Sequence, residues 1–378
     1  MTVFLNGAIF FFRKMDKIRK IPTEKEMIDQ LRRGKVSLPP LSIRFLEGQP
    51  KLLDAYVEAS WRKTTARFAI ECKSISTPRA FRDGLNLLRS TTLPKGYRPM
   101  LVMPFLSEPQ LQELEREGIS GIDLCGNGVV VVPGMFAVSR NGAKNRFSSS
   151  APIKNIYRKN SSMVGRVFLA LPRYGTVQEI CSEINRRNLL VKRWNKRPMS
   201  LSTVSKSLKT LEEDLIVERK DVIRLIQPDK LLEKLSESYA PPKINERVRL
   251  KIPEESGTLW ELLQKQSQDL NLPLVATGTS SVTQYAVMQR GDVLSVYCPF
   301  LEMLLERLPG SRSDRFPNLE LVETEDETVY FDGRKEGNSW WASSVQVYLE
   351  LMAGDKRDRE TAEQVKSLIL MNLQPVQK

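Results

Sequence analysis

The sequence predicts a mixed α/β protein in three segments: an α/β layer over residues 1–150, three helices closed by a short hairpin over 151–242, and an α+β segment over 243–378. Three observations carry that expectation. At 378 residues the chain exceeds what one hydrophobic core usually organises. Strand-like and helix-like patterns alternate through the front segment, which indicates a layered α/β fold. The charge also changes sign along the chain. Residues 1–150 hold 24 Lys and Arg against 14 Asp and Glu, residues 151–245 hold 19 against 10, and residues 246–378 hold 15 against 21. A basic front followed by an acidic end suits a protein whose first two segments face a polyanion.

The chain opens on the apolar stretch Val3–Phe12, which is too short to span a bilayer and is followed, not preceded, by its charges. A buried first strand and residues read in ahead of a start at Met15 both account for it. Pro22-Thr23-Glu24 then starts a helix to about Arg33. A hairpin follows, with arms Ala55–Trp61 and Ala66–Lys73 around the polar turn Arg62-Lys63-Thr64-Thr65. Next come a helix over 78–90 with Thr77 as N-cap and Pro78 in its first position, a strand over 99–105, a helix over 108–117, and the apolar Val129–Val132. Gly121-Ile-Asp-Leu-Cys-Gly-Asn-Gly128 reads as a glycine turn between a helix and a strand, not as a phosphate loop. Gly142–Lys159, polar and basic without apolar period, reads as a linker.

In the middle segment, helices are expected at about 162–170, 176–187 and 200–214, with a basic loop Lys192–Arg197 before the third and a hairpin over 217–225 after it. Three helices and a hairpin in that order make a winged helix-turn-helix. In the third helix Val204, Leu208, Leu211 and Leu215 recur at helical spacing as the core face, which turns Ser202, Thr203, Ser205, Lys206 and Lys209 outward. Short hydroxyls and lysines suit a helix lying in the DNA major groove, where carboxylates would be repelled. Arg193, Lys196 and Arg197 in the loop, with Lys220 and Arg224 in the wing, are the expected phosphate contacts. The stretch Ser200-Leu-Ser-Thr-Val-Ser-Lys206 and the Leu-Lys-Thr-Leu-Glu-Glu after it resemble recognition helices of bacterial transcriptional regulators.

Composition removes several chemistries. Histidine is absent, so Ser-His-Asp and Cys-His nucleophiles, His-ligated zinc and His general bases are excluded. Cys72, Cys125, Cys181 and Cys298 lie far apart with no zinc-ligand spacing and read as reduced thiols of a cytoplasmic protein. Catalysis would have to run on carboxylates, lysine and metal.

One such set stands on the first hairpin. Asp54, sixteen further residues and then Glu71-x-Lys73 place two carboxylates and a lysine on the two arms, with Glu71 and Lys73 on one face. Asp54 and Glu71 suit Mg²⁺ or Mn²⁺, and Lys73 suits a water or the reacting phosphate. By spacing alone the pattern has little specificity. In the context of helix, hairpin, helix, strand, helix and strand, it resembles the PD-(D/E)xK motif of the restriction-endonuclease-like fold, over about residues 20–140. That resemblance implies a metal-dependent endonuclease with Asp54, Glu71 and Lys73 as catalytic residues and Glu24 or Glu26 as a further ligand. Leu53 stands where the family has proline.

The third segment contains Ser344-Val-Gln-Val-Tyr-Leu-Glu-Leu-Met-Ala-Gly354 and, after it, Arg357, Arg359, Glu360 and an Ala-Glu-Gln-Val helix. With the winged helix, this resembles antitoxin regulators of type IV toxin–antitoxin (abortive infection) systems, over roughly residues 160–370. The resemblance implies a defence-related transcriptional regulator, with no cofactor if the nuclease site is unused. Duplex DNA is the expected partner of the basic segments. The acidic segment is expected to contact a protein, a second copy or the chain's own basic surface, and no membrane partner is expected. Glu323, Asp326, Glu327 and Asp332 read as solvated loop acids, and Gly278-Thr-Ser-Ser281 as a helix start.

Overall fold

A computed structural model describes residues 4–5, 8–9, 21–48, 50, 52–147, 155–194, 196–253, 256–288, 293–337 and 339–373. The protein is mixed α/β, and among these residues no helix is long and apolar enough to cross a membrane. Contacts divide the chain into two units, Met1–Pro152 and Ile153–Lys378.

The first unit contains, in order, β1 (Phe4–Leu5), β2 (Ala8–Ile9), α1 (Glu24–Arg32), β3 (Ser42–Leu46), β4 (Ala55–Trp61), β5 (Thr64–Cys72), α2 (Pro78–Ser90), β6 (Tyr97–Met103), α3 (Glu108–Arg116), β7 (Ser120–Asp123), β8 (Gly128–Val132) and β9 (Phe136–Arg140). Phe4–Leu5 pairs with Ala8–Ile9, while the rest of the apolar stretch Val3–Phe12 lies outside the described residues. Strands β3 to β9 form one sheet in chain order. β5, β6 and β7 are parallel, and the outer pairs are antiparallel.

Strand alternation sends Val57, Phe68, Ile70 and Cys72 to one face, under Met27 and Leu31 of α1. Ala69, Leu101 and Met103 face the other way, under Phe81 and Leu85 of α2 and Leu111 and Leu114 of α3. The hairpin turn is tighter than expected: β5 begins at Thr64, and Arg62 takes a left-handed φ of 57°. The linker expected over Gly142–Lys159 is partly anchored, since Asn127 bonds Ala143 and Arg146 donates to the Leu124 carbonyl. Residues 148–154 lie outside the described set.

The second unit begins with α4 (Met163–Ala170), β10 (Arg173–Tyr174), α5 (Val177–Arg187), α6 (Leu189–Trp194), α7 (Leu201–Glu213), β11 (Val217–Arg219), β12 (Ile223–Leu225) and α8 (Pro228–Glu237). It continues with β13 (Glu246–Lys251), α9 (Ser256–Asp269), β14 (Val275–Ala276), α10 (Gly278–Ser281), β15 (Leu294–Cys298), α11 (Glu302–Leu305), β16 (Ser311–Arg312), β17 (Leu319–Glu323), β18 (Arg334–Glu336), β19 (Ser339–Trp341), α12 (Ser344–Met352) and α13 (Lys356–Leu373). Thr176, Ser200 and Thr277 cap α5, α7 and α10 by accepting a backbone N–H, which satisfies donors that a helix start leaves open. β12 lies between β10 and β11 in a small sheet, and β13 to β19 make a seven-stranded sheet in the order β16-β13-β17-β15-β14-β19-β18.

The division expected at residue 242 does not separate two cores. One apolar cluster runs from Val164, Phe168 and Leu208 through Leu231 to Tyr330, Val345, Tyr348 and Val365. At its centre the buried Arg166 guanidinium of α4 donates to Gln346 Oε1 of α12 at 2.8 Å and to the Thr328 carbonyl at 3.2 Å. Gln346 passes a hydrogen bond to the half-buried Glu350, which also accepts from Gly278 N and Tyr297 Oη. Burial pulls Arg166 down to about 10, so it stays charged at neutral pH. Burial also raises Glu350, against the bonds from Gln346, Gly278 and Tyr297 and the Arg166 charge.

Candidate functional site

In the first unit the expected triad is brought together at the end of β5. Ala55 pairs with Ile70, so Asp54 continues the register opposite Glu71. Asp54 N donates to the Ile70 carbonyl at 2.9 Å, and Asp54 Oδ2 accepts from Cys72 N at 2.7 Å. Glu71 is 4% exposed and accepts from Lys73 Nζ at 2.5 Å. The backbone of Lys73 is pinned to β6 by its N–H to the Val102 carbonyl.

Burial raises the Glu71 carboxyl above its ordinary value; Lys73 opposes this, while the charges of Asp54 and Glu24 add to it. For Lys73 burial works downward, but the bond and charge of Glu71, with Glu24 and Asp54, outweigh it and hold the ammonium above its usual range. These influences separate the two first-helix candidates. Glu24 acts on the site, whereas Glu26 is spent on the capping box of α1, accepting from Thr23 N at 2.7 Å. No group of three or more Asp, Glu or Cys able to hold a metal ion occurs among the described residues.

Sequence reasoning missed Gly84 of α2. A Cβ there would stand 2.6 Å from Leu101 Cδ1 and 3.4 Å from Lys73 Cγ. The Lys73 stem therefore runs past a helix position that has no side chain. The signal was a lone glycine inside a strong helical pattern. The expected glycine turn after β7 is organised by one carboxylate: Asp123, 1% exposed, accepts from Leu106, Cys125, Gly126 and Asn127 N–H groups.

In the second unit, α7 buries Val204, Leu208 and Leu211 and exposes Ser202, Ser205, Lys206 and Lys209. Thr203 is half-buried, and its hydroxyl is tied to Ser200 Oγ at 2.9 Å. Leu215 is not part of the helix face: α7 ends at Glu213, and Leu215 turns the chain with a left-handed φ of 57°. Ser207 takes a buried place instead, at 0% exposure. Neither Lys206 nor Lys209 makes an ion pair among the described residues.

The flanking cations differ. In the β11–β12 hairpin, Glu218 accepts from Lys220 Nζ at 2.8 Å and from Arg224 Nη2 at 2.5 Å, so the two expected phosphate contacts share a carboxylate. The bond from Lys220, and after it that from Arg224, holds the Glu218 carboxyl below its ordinary value. If this hairpin meets DNA, Glu218→Gln is expected to tighten duplex binding by about two- to fivefold at low salt, because it frees two cations from their shared carboxylate. Unchanged affinity in a filter-binding titration would show that this hairpin makes no phosphate contact.

Ahead of α7 the expected loop Lys192–Arg197 is shorter, because residues through Trp194 belong to α6; the side chain of Arg193 lies outside the described residues. Lys196 donates to the Glu325 carbonyl at 2.8 Å, and Arg197 is exposed. Sequence reasoning passed over Arg173, an exposed residue directly opposite Arg224 in the small sheet, because a two-residue strand leaves no readable period.

The loop acids expected to be solvated have partners. Glu323 accepts from Leu301 N, Asp326 caps the turn Glu327–Tyr330, Glu327 accepts from Asn160 and Asn188, and Asp332 pairs with Arg187. Comparison with protein-family models gives no match for the chain, and comparisons with curated proteins and with solved structures give none either.

Proposed function

We propose that the chain is a DNA-binding protein in which α7 is the recognition helix of a winged helix, the β11–β12 hairpin is the wing, and the first unit is a restriction-endonuclease-like domain that hydrolyses DNA phosphodiesters. One observation supports the DNA reading above others. Lys206 and Lys209 stand exposed beside Ser202 and Ser205 with no ion pair among the described residues, so a nucleic acid meets them without displacing a carboxylate. Lys206→Ala or Lys209→Ala is expected to weaken duplex binding. A base contact would cost about 1–3 kcal/mol at one position of the site, and a phosphate contact would reduce the salt slope by about one. Unchanged affinity and salt dependence in both variants would retire this placement.

For hydrolysis, the residues that would hold Mg²⁺ or Mn²⁺ are Asp54 and Glu71. They fit a hard divalent cation, because Glu71 is buried against the negative charges of Asp54 and Glu24 and a cation relieves that crowding. Such an ion supplies Lewis acidity for the phosphodiester and acidifies bound water. The chain's own contribution is Lys73, which keeps its proton at Nζ and offers a positive group beside the carboxylates.

A second reading is a non-catalytic regulator of the type IV antitoxin kind, in which the first unit keeps its fold with an unused site. It is favoured by the Lys73–Glu71 bond, which already occupies the ammonium. Plasmid and branched DNA incubated with Mg²⁺ or Mn²⁺ separate the two, as strand scission is expected only from the nuclease.

A further inference from the structure

We infer that Glu325 is a built-in competitor for DNA: it neutralises Lys196 just ahead of α7, so a duplex has to displace this carboxylate before a phosphate can take the ammonium. This rests on the proposed role of α7. Lys196 Nζ lies 3.2 Å from the Glu325 carboxylate, and the Glu325 side chain is 53% exposed, within reach of an incoming phosphate chain.

The acidic segment is fixed, not a loose strap. Tyr330 Oη donates to the Thr324 carbonyl, Thr324 Oγ1 donates to the Lys243 carbonyl, and Glu327 is gripped by Asn160 at 2.8 Å and Asn188 at 2.7 Å. Glu327 lines one shallow pocket with Arg197, Ser200 and Thr203, at the N-terminal end of α7. A nucleic-acid backbone that approaches this end meets the exposed Glu325 carboxylate and the Glu327 carboxylate held by Asn160 and Asn188. The acidic region therefore lowers affinity where Lys196 stands, while Lys206 and Lys209, which make no ion pair among the described residues, keep theirs. The consequence is selectivity: the pairing suppresses sequence-independent phosphate binding more than contacts made along the helix face.

A double-mutant cycle on the full chain tests this by fluorescence anisotropy with a mixed-sequence duplex at stepped KCl. Glu325→Gln is expected to bind about threefold tighter or more at low salt, with a salt slope steeper by about one. Lys196→Ala is expected to weaken binding less in the wild-type background than in the Glu325→Gln background, where it cancels the gain. Glu302→Gln with Glu306→Gln, which removes two exposed acids at the start of α11 and just past its end, is expected to leave affinity within about twofold.

An equal gain from that control would overturn the inference in favour of net charge, and equal losses from Lys196→Ala in both backgrounds would show that Lys196 meets DNA without a competitor. If the wild type binds and Glu325→Gln is no tighter, the competitor alone falls. If neither binds any duplex, the DNA reading falls with it, whereas binding that appears only in Glu325→Gln supports both.

Discussion

Supercoiled plasmid incubated with the full chain and Mg²⁺ is expected to be nicked, and Glu71→Gln to lower the rate by about 10³-fold or more, since a metal ligand contributes several kcal/mol. Lys73→Ala should lose scission to a similar degree but keep metal binding, because the ammonium is assigned to the phosphate and not to the ion. Metal binding is read separately as a rise in Tm. At 100 times the dissociation constant, mass action adds about 2.7 kcal/mol to the folded state, and Glu71→Gln should abolish that rise.

The pH dependence has a defined sign. Glu71 is raised above 4.5 when folded, so between 4.5 and the raised value the folded protein holds more protons than the unfolded chain. Stability without metal therefore falls as pH rises through that window. Metal, which needs the ionised carboxylate, should stabilise more as pH rises through it. Metal-dependent stabilisation without scission would retire the enzyme and keep the site. Absence of both would make the hairpin triad a chance pattern.

Arg166→Met is expected to destabilise the second unit by about 3 kcal/mol or more, because it leaves Gln346 Oε1 and the Thr328 carbonyl without their donor and removes the positive charge facing Glu350. Urea unfolding of the full chain, followed on the unit's tryptophans, checks this; a loss below about 1 kcal/mol would mean the guanidinium is incidental. The same core implies that residues 151–242 expressed alone are a poor mimic of the proposed DNA-binding part, since Val164, Phe168 and Leu231 would lose the side of the cluster supplied by α12 and α13.

The short-range features were legible in the sequence for physical reasons. Asp54, Glu71 and Lys73 are joined by a tight hairpin whose pairing follows from alternation, so spacing alone sets them opposite one another. The 78–90 helix was readable from Thr77-Pro78, an N-cap and first-position proline. What escaped was set by distant partners. Arg166 reads as one more cation in a basic segment, yet its acceptors lie 162 and 180 residues away. The acids at 323–332 read as solvated because no local pattern reveals Asn160, Arg187, Asn188 or Lys196 as their partners. Leu215 fitted the helical period, but the left-handed turn that ends α7 took it out of register.

Gly84 carries a lesson for engineering. Exchanging a mid-helix glycine for alanine is ordinarily a safe stabiliser, worth about 0.4–1 kcal/mol through the unfolded chain. Here the added methyl would stand 2.6 Å from Leu101 Cδ1, which would have to shift, and would come into van der Waals contact with the Lys73 stem at 3.4 Å. A thermostabilised version designed by helix propensity alone would thus repack Leu101 right beside Lys73, the lysine on which the proposed chemistry depends, at a glycine that belongs to no catalytic motif.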